Sequence, residues 1–377
     1  MSTTAILADL VSFPSLPGTP NAAIASYVRE VLARHGVPAS ILPGPEDGHL
    51  NLFATVGPNI AGGIVLSGHM DVVSVEGQSW ATDPFRLAED GDRLTGRGTS
   101  DMKGFLACML AMVPEFQAMP LTRPVHLAFS TDEEIGCRGV PHLIARLPDL
   151  CAPPAACLVG EPSDLRPVLS HKGKQALALV IEGRAGHSSN PALGENALYP
   201  AAELLLAIRD RAARLATDGP FDPRFDPPHS TLQAGLIRGG AAVNIIPDRA
   251  EIAIELRAIP GQPPQSVTAE ILRELEAIVA RGDKLRCSWR ELAAYPALPS
   301  SDDPALARLL TEATGQAPLQ SVSYGTEAGL FAAAGIPAII CGPGSITRAH
   351  AADEYILGSE LTACCAMLRH LGDHLTR

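Results

Sequence analysis

Several features common in other chains are missing from this one, and each absence narrows what it can do. No segment gathers lysine or arginine into a run, and the formal net charge is −12. A surface of that balance does not grip the phosphates of nucleic acid or an anionic membrane, so neither is expected as a partner. No apolar stretch reaches the roughly 18–20 residues that span a bilayer. The opening "MSTTAILADLVSF" has no basic residues ahead of its apolar part and carries Asp9, so it does not read as a secretory leader. The chain is therefore expected to stay in the cytoplasm. Cysteine occurs 8 times but never as CxxC, and the one close pair is Cys364-Cys365. Buried thiols acting as small hydrophobes fit this scatter better than a disulfide frame or a thiolate metal site. Internal repeats and low-complexity tracts are absent as well.

What is present is ample core material: 377 residues, 46% of them hydrophobic, enough for one large domain or two. The first part alternates helical and extended patterns. "NAAIASYVREVLARHG" has helical spacing and stops at Gly36; strand-like "GGIVLSGH", helical "KGFLACMLAMVPEF" and strand-like "PVHLAFSTDEE" and "AACLVGEP" follow. This alternation predicts an α/β fold, a mixed, largely parallel sheet flanked by helices. From about residue 172 the order becomes β-α-β-β-α-β, which predicts a small sheet covered on one face by two helices. The helix–strand alternation then resumes with "PALARLLTEATG", "GLFAAAGIPAIICGPG" and "LTACCAMLRHLGDHL". The simplest organisation is a domain of residues 1–171 and 287–377 interrupted by an inserted α+β unit, 172–286. Proline-rich "DGPFDPRFDPPHS", inside the insert, is expected to be a surface loop.

Polar residues recur where strands end. "GHMDVV" closes an apolar run with His69 and Asp71, which share a face if the chain stays extended. Asp101 in "GRGTSDMKG", Glu133 and Glu134 in "STDEEIG", Glu161 in "LVGEP" and His350 in "TRAH" follow the same habit. In open α/β sheets ligands bind at the carboxyl ends of the strands, so these residues can converge. Each alone has an ordinary explanation: Asp101 as a helix cap, Glu134 solvated, Glu161 in an ion pair, His69 hydrogen-bonded in the core. Together, several carboxylates without a cation repel one another, and a divalent metal removes that conflict. Two histidines and three carboxylates suit zinc, cobalt or manganese, and the absence of thiolates speaks for a catalytic rather than a structural site. One carboxylate bridging two metals is an economical arrangement for hydrolysing a polarised carbonyl.

These five ordered motifs, spread over nearly the whole chain, resemble the M20 family of co-catalytic metallopeptidases and amidohydrolases. The resemblance implies a zinc-aminopeptidase-like catalytic domain, an inserted lid and dimerisation domain, and two divalent ions, with Zn2+ expected and Co2+ also suited. It implies His69 and Glu161 as ligands of one ion, Glu134 and His350 of the other, and Asp101 as the bridge. Asp71 is similar to the family's acid that hydrogen-bonds the free ring nitrogen of the metal histidine. Glu133 resembles the general base that moves a proton from the attacking water to the departing amine; the residues alone leave Glu133 and Glu134 interchangeable.

In the insert, "GRAGHSS" sets His187 in a glycine-flanked loop, where a surface histidine is the plain alternative. The resemblance implies that His187 crosses a homodimer interface to stabilise the tetrahedral oxyanion. Asn244 in "GGAAVNIIPD" and Arg257 in "ELRAIP" look like substrate contacts, Arg257 suiting a carboxylate unless it sits in a surface ion pair. Glycines near residues 173 and 183 are expected to neighbour the hinges of the insert. Within the family, "EPSDLRPVLSHKGK", "DPFRLAEDGDRLTGRGTSDMKGF" and "VSYGTEAGLFAAAGIPAIICGPGSI" are most similar to acetylornithine deacetylases. That implies a small-molecule N-acyl amino acid, N2-acetyl-L-ornithine, as substrate, with Glu327 facing its cationic side chain unless it simply interacts with a helix dipole. Met70 and Ser74 depart from that pattern, where related deacetylases carry threonine and proline. Succinyl-diaminopimelate desuccinylase, aminoacylase and dipeptidase activities are alternatives on the same site. A non-catalytic amino-acid-binding protein is expected to lack a ligand or the base, and none is lacking here.

Overall fold

The computed structural model describes residues 1–300 and 305–377; Pro304, the first residue of "PALARLLTEATG", lies outside them. The chain forms two compact units. One comprises Met1–Ser170, Leu298–Ser321 and Thr326–Arg377; the other comprises His171–Ala297 and Val322–Gly325.

A six-stranded sheet organises the first unit, in spatial order Ala39–Pro43, Leu50–Val56, Val125–Ser130, Ile64–His69, Ala156–Pro162 and Ala338–Gly342. The last four strands run parallel, and the first two are added antiparallel at one edge. The parallel strands are buried at every residue, as expected where helices cover both faces and the sequence reads as unbroken apolar runs. Helix Gly104–Ala118 packs in the same core with Phe105, Leu106, Met109 and Phe116 fully covered, each such side chain contributing about 1.5–3 kcal/mol by burial. Gly36 ends helix Ala22–Arg34 at φ +69°, where a left-handed residue closes the last turn. A Cβ on Gly160 falls 2.0 Å from the Phe105 ring, so only glycine lets that helix lie against strand Ala156–Pro162. The edge pair Ala39–Pro43 and Leu50–Val56 was not signalled by the alternation. Neither was a small sheet of Ala88–Asp90, Arg93–Thr95 and Tyr355–Leu357.

The second unit is a four-stranded antiparallel sheet, ordered Thr231–Gly239, Arg249–Ala258, Gly173–Glu182, Arg286–Tyr295. Strand Arg249–Ala258 alternates, burying Ala250, Ile252, Ile254, Leu256 and Ala258 with helices Leu198–Asp218 and Pro264–Val279. Its connectivity is the β-α-β-β-α-β order read from the sequence. Strand Thr231–Gly239 is an edge, and residues 233–239 along it are exposed. Among the described residues no helix is long and apolar enough to cross a membrane.

Candidate metal centre

Strands Ile64–His69 and Val125–Ser130 end level with one another, His69 opposite Ser130. The His69 Nδ1 lies 2.8 Å from the main-chain carbonyl of Asp71. A carbonyl only accepts, so Nδ1 carries a proton and Nε2 is the nitrogen left to the carboxylates, a donor when the ring is doubly protonated and a lone pair when it is neutral. That nitrogen faces Asp101 Oδ1 at 3.0 Å and Glu161 Oε1 at 3.7 Å. On the other side, His350 Nε2 stands 3.2 Å from Asp101 Oδ2 and 3.0 Å from Glu134 Oε2. Asp101 thus has one oxygen toward each histidine. The donor atoms of His69, Asp101 and Glu134 lie within 4.8 Å of one another, as do those of His69, Glu133 and Glu161.

The six side chains reach this place from five segments of the chain. His69 and Glu161 close their strands. Asp101 sits in a wide turn, Thr99–Lys103, where its backbone leaves helical geometry (φ −123°, ψ 93°) before helix Gly104–Ala118 begins. Glu133 and Glu134 follow a tight turn in which Asp132 has φ 56°. Asp132 is tied down by the Gly18 N–H at 2.7 Å and by His49 Nδ1 at 2.5 Å. The segment Phe13–Gly18 backs three of these loops. Ser15 donates to the Met70 carbonyl at 2.6 Å, the Phe13 carbonyl accepts Lys103 Nζ at 2.7 Å, and Gly18 holds Asp132.

Electrostatics shows the same crowding. Burial, with the Asp101 charge adding, lifts the Glu161 carboxyl well above its ordinary value. Burial pushes Glu133 up to about 8, with His69 opposing and Glu134 adding; burial and Asp101 also raise Glu134. His350 is raised to about 10 by its contacts with Asp101 and Glu134. Asp101 is pushed upward by burial, but His350 and His69 outweigh this and hold it below the carboxylate range. With protein groups alone, the cluster needs protons to satisfy so many acceptors.

Two atoms test whether cations fit. His69 Nε2 points at two carboxylate oxygens, and Glu134 Oε1 is buried without a hydrogen-bond partner. Protons satisfy the first only by charging the ring, whose pKa burial lowers but Asp101, Glu161 and Asp71 raise well above the ordinary value, and they leave the orphaned carboxylate oxygen unpaired; a divalent ion satisfies both. The mixed nitrogen and oxygen set suits Zn2+ or Co2+.

Two expectations change. The Asp71 carboxylate stands 3.8 Å from His69 Nδ1, and the main-chain carbonyl of Asp71 takes the ring proton instead. Beyond the strand end the chain turns, and the carboxylate accepts the N–H groups of Glu133 and Glu134 at 3.2 and 3.1 Å. Glu327, expected to face a substrate's cationic side chain, lies in the first unit with its carboxylate engaged by two serines. It is 1% exposed, accepting Ser67 Oγ–H at 2.5 Å and Ser130 Oγ–H at 2.7 Å. Both oxygens are occupied inside the first unit, behind the strand ends.

In the second unit, His187 and Asn244 flank one small two-stranded element, in which Ile245 pairs with His187. Both are exposed. The Ser189 N–H donates to His187 Nδ1 at 3.2 Å, which leaves the ring proton on Nε2. Arg257 lies on an inner strand rather than an edge, its guanidinium donating to Glu255 at 2.8 Å and to the Tyr295 hydroxyl at 2.9 Å. Sequence reasoning missed Ser67 and Ser130, the His49–Asp132 pair, and Gln78, Arg97 and Glu354. Only the serines, small polar residues inside apolar strands, offered a signal.

Comparison with known proteins gives a consistent result. Residues 65–374 match the model of peptidase family M20/M25/M40. Acetylornithine deacetylase of Myxococcus xanthus is 32% identical over 376 residues, covering 98% of this chain and 96% of that protein. That of Proteus mirabilis is 33% identical, covering 92% and 90%. Among solved structures, an M20 family metallo-carboxypeptidase from Sulfolobus solfataricus superposes with TM-score 0.81 at 19% identity over 100% and 99% of the two chains. A tripeptidase from Staphylococcus aureus gives 0.78 at 20% over 100% and 98%.

Proposed function

Because the chain belongs to peptidase family M20/M25/M40 and is a metal-dependent amidohydrolase, we propose that it hydrolyses the amide of an N-acyl amino acid, N2-acetyl-L-ornithine, to acetate and L-ornithine. The observation that carries the reading of the centre is His69 Nε2, its ring oriented through Nδ1, aimed at Asp101 and Glu161. The substrate rests on the relatives, two of which are acetylornithine deacetylases matched over nearly their full length.

In this reading two divalent cations, zinc or cobalt, would be held by His69, Glu161, Asp101, Glu134 and His350. When bound they supply Lewis acidity toward the acyl carbonyl and the attacking water. Glu133 does the proton work. Its Oε1 accepts the Cys137 thiol at 3.1 Å, so we assign the moving proton to Oε2. That oxygen takes a proton from water as the oxygen bonds to the acyl carbon, and delivers it to nitrogen as the C–N bond breaks. Asp71, through the N–H groups of Glu133 and Glu134, fixes where both carboxylates stand. His187, with its proton on Nε2, has the tautomer needed to donate to a developing oxyanion, and we assign it that role across a homodimer. The exposed edge strand Thr231–Gly239 is consistent with pairing between copies. Asn244 and Arg257 are assigned to the substrate's polar groups; Arg257 reaches a carboxylate by exchanging part of its bonding to Glu255 and Tyr295.

Steady-state rates of the zinc- or cobalt-loaded protein on N2-acetylornithine, N-succinyl-diaminopimelate, N-acetylmethionine and a dipeptide test this. The expected result is the highest kcat/KM on N2-acetylornithine. Equal or higher values on another member reject the substrate and leave the reaction class standing; hydrolysis of none rejects both.

A further inference from the structure

The two sides of the metal centre come from loops some 250 residues apart, and something has to fix their spacing. One buried carboxylate touches both. Glu354 Oε1 accepts the backbone N–H groups of Ser100 at 2.9 Å and Asp101 at 3.0 Å. Its Oε2 accepts the Gly98 N–H at 2.9 Å and Arg97 Nη1 at 2.8 Å. The Glu354 carbonyl also takes the Gly96 N–H at 2.9 Å, where strand Tyr355–Leu357 pairs with Arg93–Thr95. Glu354 and Arg97 are each 1% exposed, so this charged pair and its N–H partners sit away from water, where such bonds are strong and their loss is costly.

The same frame reaches His350, whose backbone is left-handed at φ 60°, a conformation that a non-glycine residue keeps only when its surroundings impose it. Gln78 Nε2 donates to the His350 carbonyl at 2.8 Å, and Gln78 Oε1 accepts Arg97 Nη2. Arg97 Nη1 reaches the Ala351 carbonyl at 3.2 Å. The Ala81 N–H holds the Asp353 carboxylate at 2.8 Å, and Asp353 is a second left-handed residue in this loop. From Asp101 the path runs through Glu354 and Arg97 to Gln78 and His350 without a gap.

We propose that Glu354, Arg97 and Gln78 are positioning residues that set the separation of Asp101 from His350, and so the affinity and geometry of the ion between them. The inference rests on the proposed metal reading of the centre. None of the three faces the donor atoms; they act on the main chain that carries the ligands.

The test uses metal-stripped wild type, Glu354→Gln and Gln78→Ala, titrated with Zn2+ alone under chelator competition and with Co2+ alone by visible absorption. In Glu354→Gln an amide NH2 must face either Arg97 or a backbone N–H, so part of the clamp opens while volume is kept. The expected result is a loss of Zn2+ affinity of about 10- to 100-fold, an altered Co2+ spectrum, and a lowered kcat with KM nearly unchanged. Gln78 is only half-buried, so Gln78→Ala gives a folded variant even if Glu354→Gln does not fold. It is expected to weaken one of the two Co2+ equivalents and spare the other. Wild-type affinities and spectra in every variant that folds overturn the inference, even where melting temperature falls, since a purely structural pair would lower stability alone. A wild type that binds neither ion overturns the metal reading and this inference with it; a wild type that binds two and matches its variants overturns the inference only.

Discussion

Asp71 Oδ2 accepts the backbone N–H of Glu134 at 3.1 Å while its Oδ1 accepts that of Glu133 at 3.2 Å. One carboxylate therefore orients two neighbours to which the proposed function assigns different work. Asp71→Asn keeps the size but turns one acceptor into a donor facing an N–H. A fall in kcat of about 10- to 100-fold is expected, together with weaker metal retention because Glu134 is displaced. Steady-state kinetics and metal analysis of dialysed protein check this; unchanged metal content with unchanged kcat removes Asp71 from the site.

Glu133 is separable from its neighbour. Glu133→Ala leaves the donor atoms of His69, Asp101, Glu134, Glu161 and His350 in place, so the protein should hold two equivalents of Zn2+. Turnover should fall by about 10²- to 10⁴-fold, the usual contribution of a positioned acid–base group. An unaltered rate assigns the proton transfer elsewhere.

Removing the ions should change how stability responds to pH. Burial raises Glu133 to about 8, and its carboxylate neighbours Asp101 and Glu134 raise His350 to about 10. In the metal-free fold both bind protons that the unfolded chain has released, Glu133 between about 4.5 and 8 and His350 between about 6.5 and 10. Stability from these groups is present at the acid end of each interval and lost as pH rises through it. Thermal melting of chelator-treated protein is expected to fall between pH 6 and 9, and saturating Zn2+ should flatten that slope. A metal-free melting temperature that rises over the interval contradicts the assignment.

Gly160 lies on the strand that carries Glu161, facing the Phe105 ring. The Cβ of Gly160→Ala, 2.0 Å from ring atoms, forces helix and strand apart. A loss of about 1–3 kcal/mol in a denaturant melt is expected, with weaker metal binding because the next residue is a proposed ligand.

For Glu327 the measurement is a ratio. Glu327→Ala leaves the Ser67 and Ser130 hydroxyls without their acceptor, at a cost of about 1–3 kcal/mol. The preference for cationic over neutral N-acetyl amino acids, taken as a ratio of kcat/KM, should stay the same. Selective loss of the cationic substrate returns Glu327 to the pocket.

The sequence announced the parallel sheet because its strands are buried on both faces and so read as unbroken apolar runs. It announced the donor residues because acids and histidines at the ends of such runs are costly unless used. What it concealed was direction. His69 and Asp71 share a face only while the chain is extended; the strand ends at His69, and one turn sends the Asp71 carboxylate toward a different loop. Glu327 looked like a loop acid because its partners, Ser67 and Ser130, lie on two distant strands. Glu354 was invisible for a similar reason: its bonds go to backbone N–H groups, which carry no residue signature, on a turn 254 residues earlier.

The tie between Phe13–Gly18 and the loops of His69, Asp101 and Glu133 has a consequence for biosynthesis. A ribosome delivers that segment early and the His350 loop late, separated by on the order of half a minute of elongation. The nascent chain thus lacks a finished ion cage until the His350 loop has emerged. Trimming or tagging near residue 13 would then act as a defect in loading, far from any residue that touches the ions.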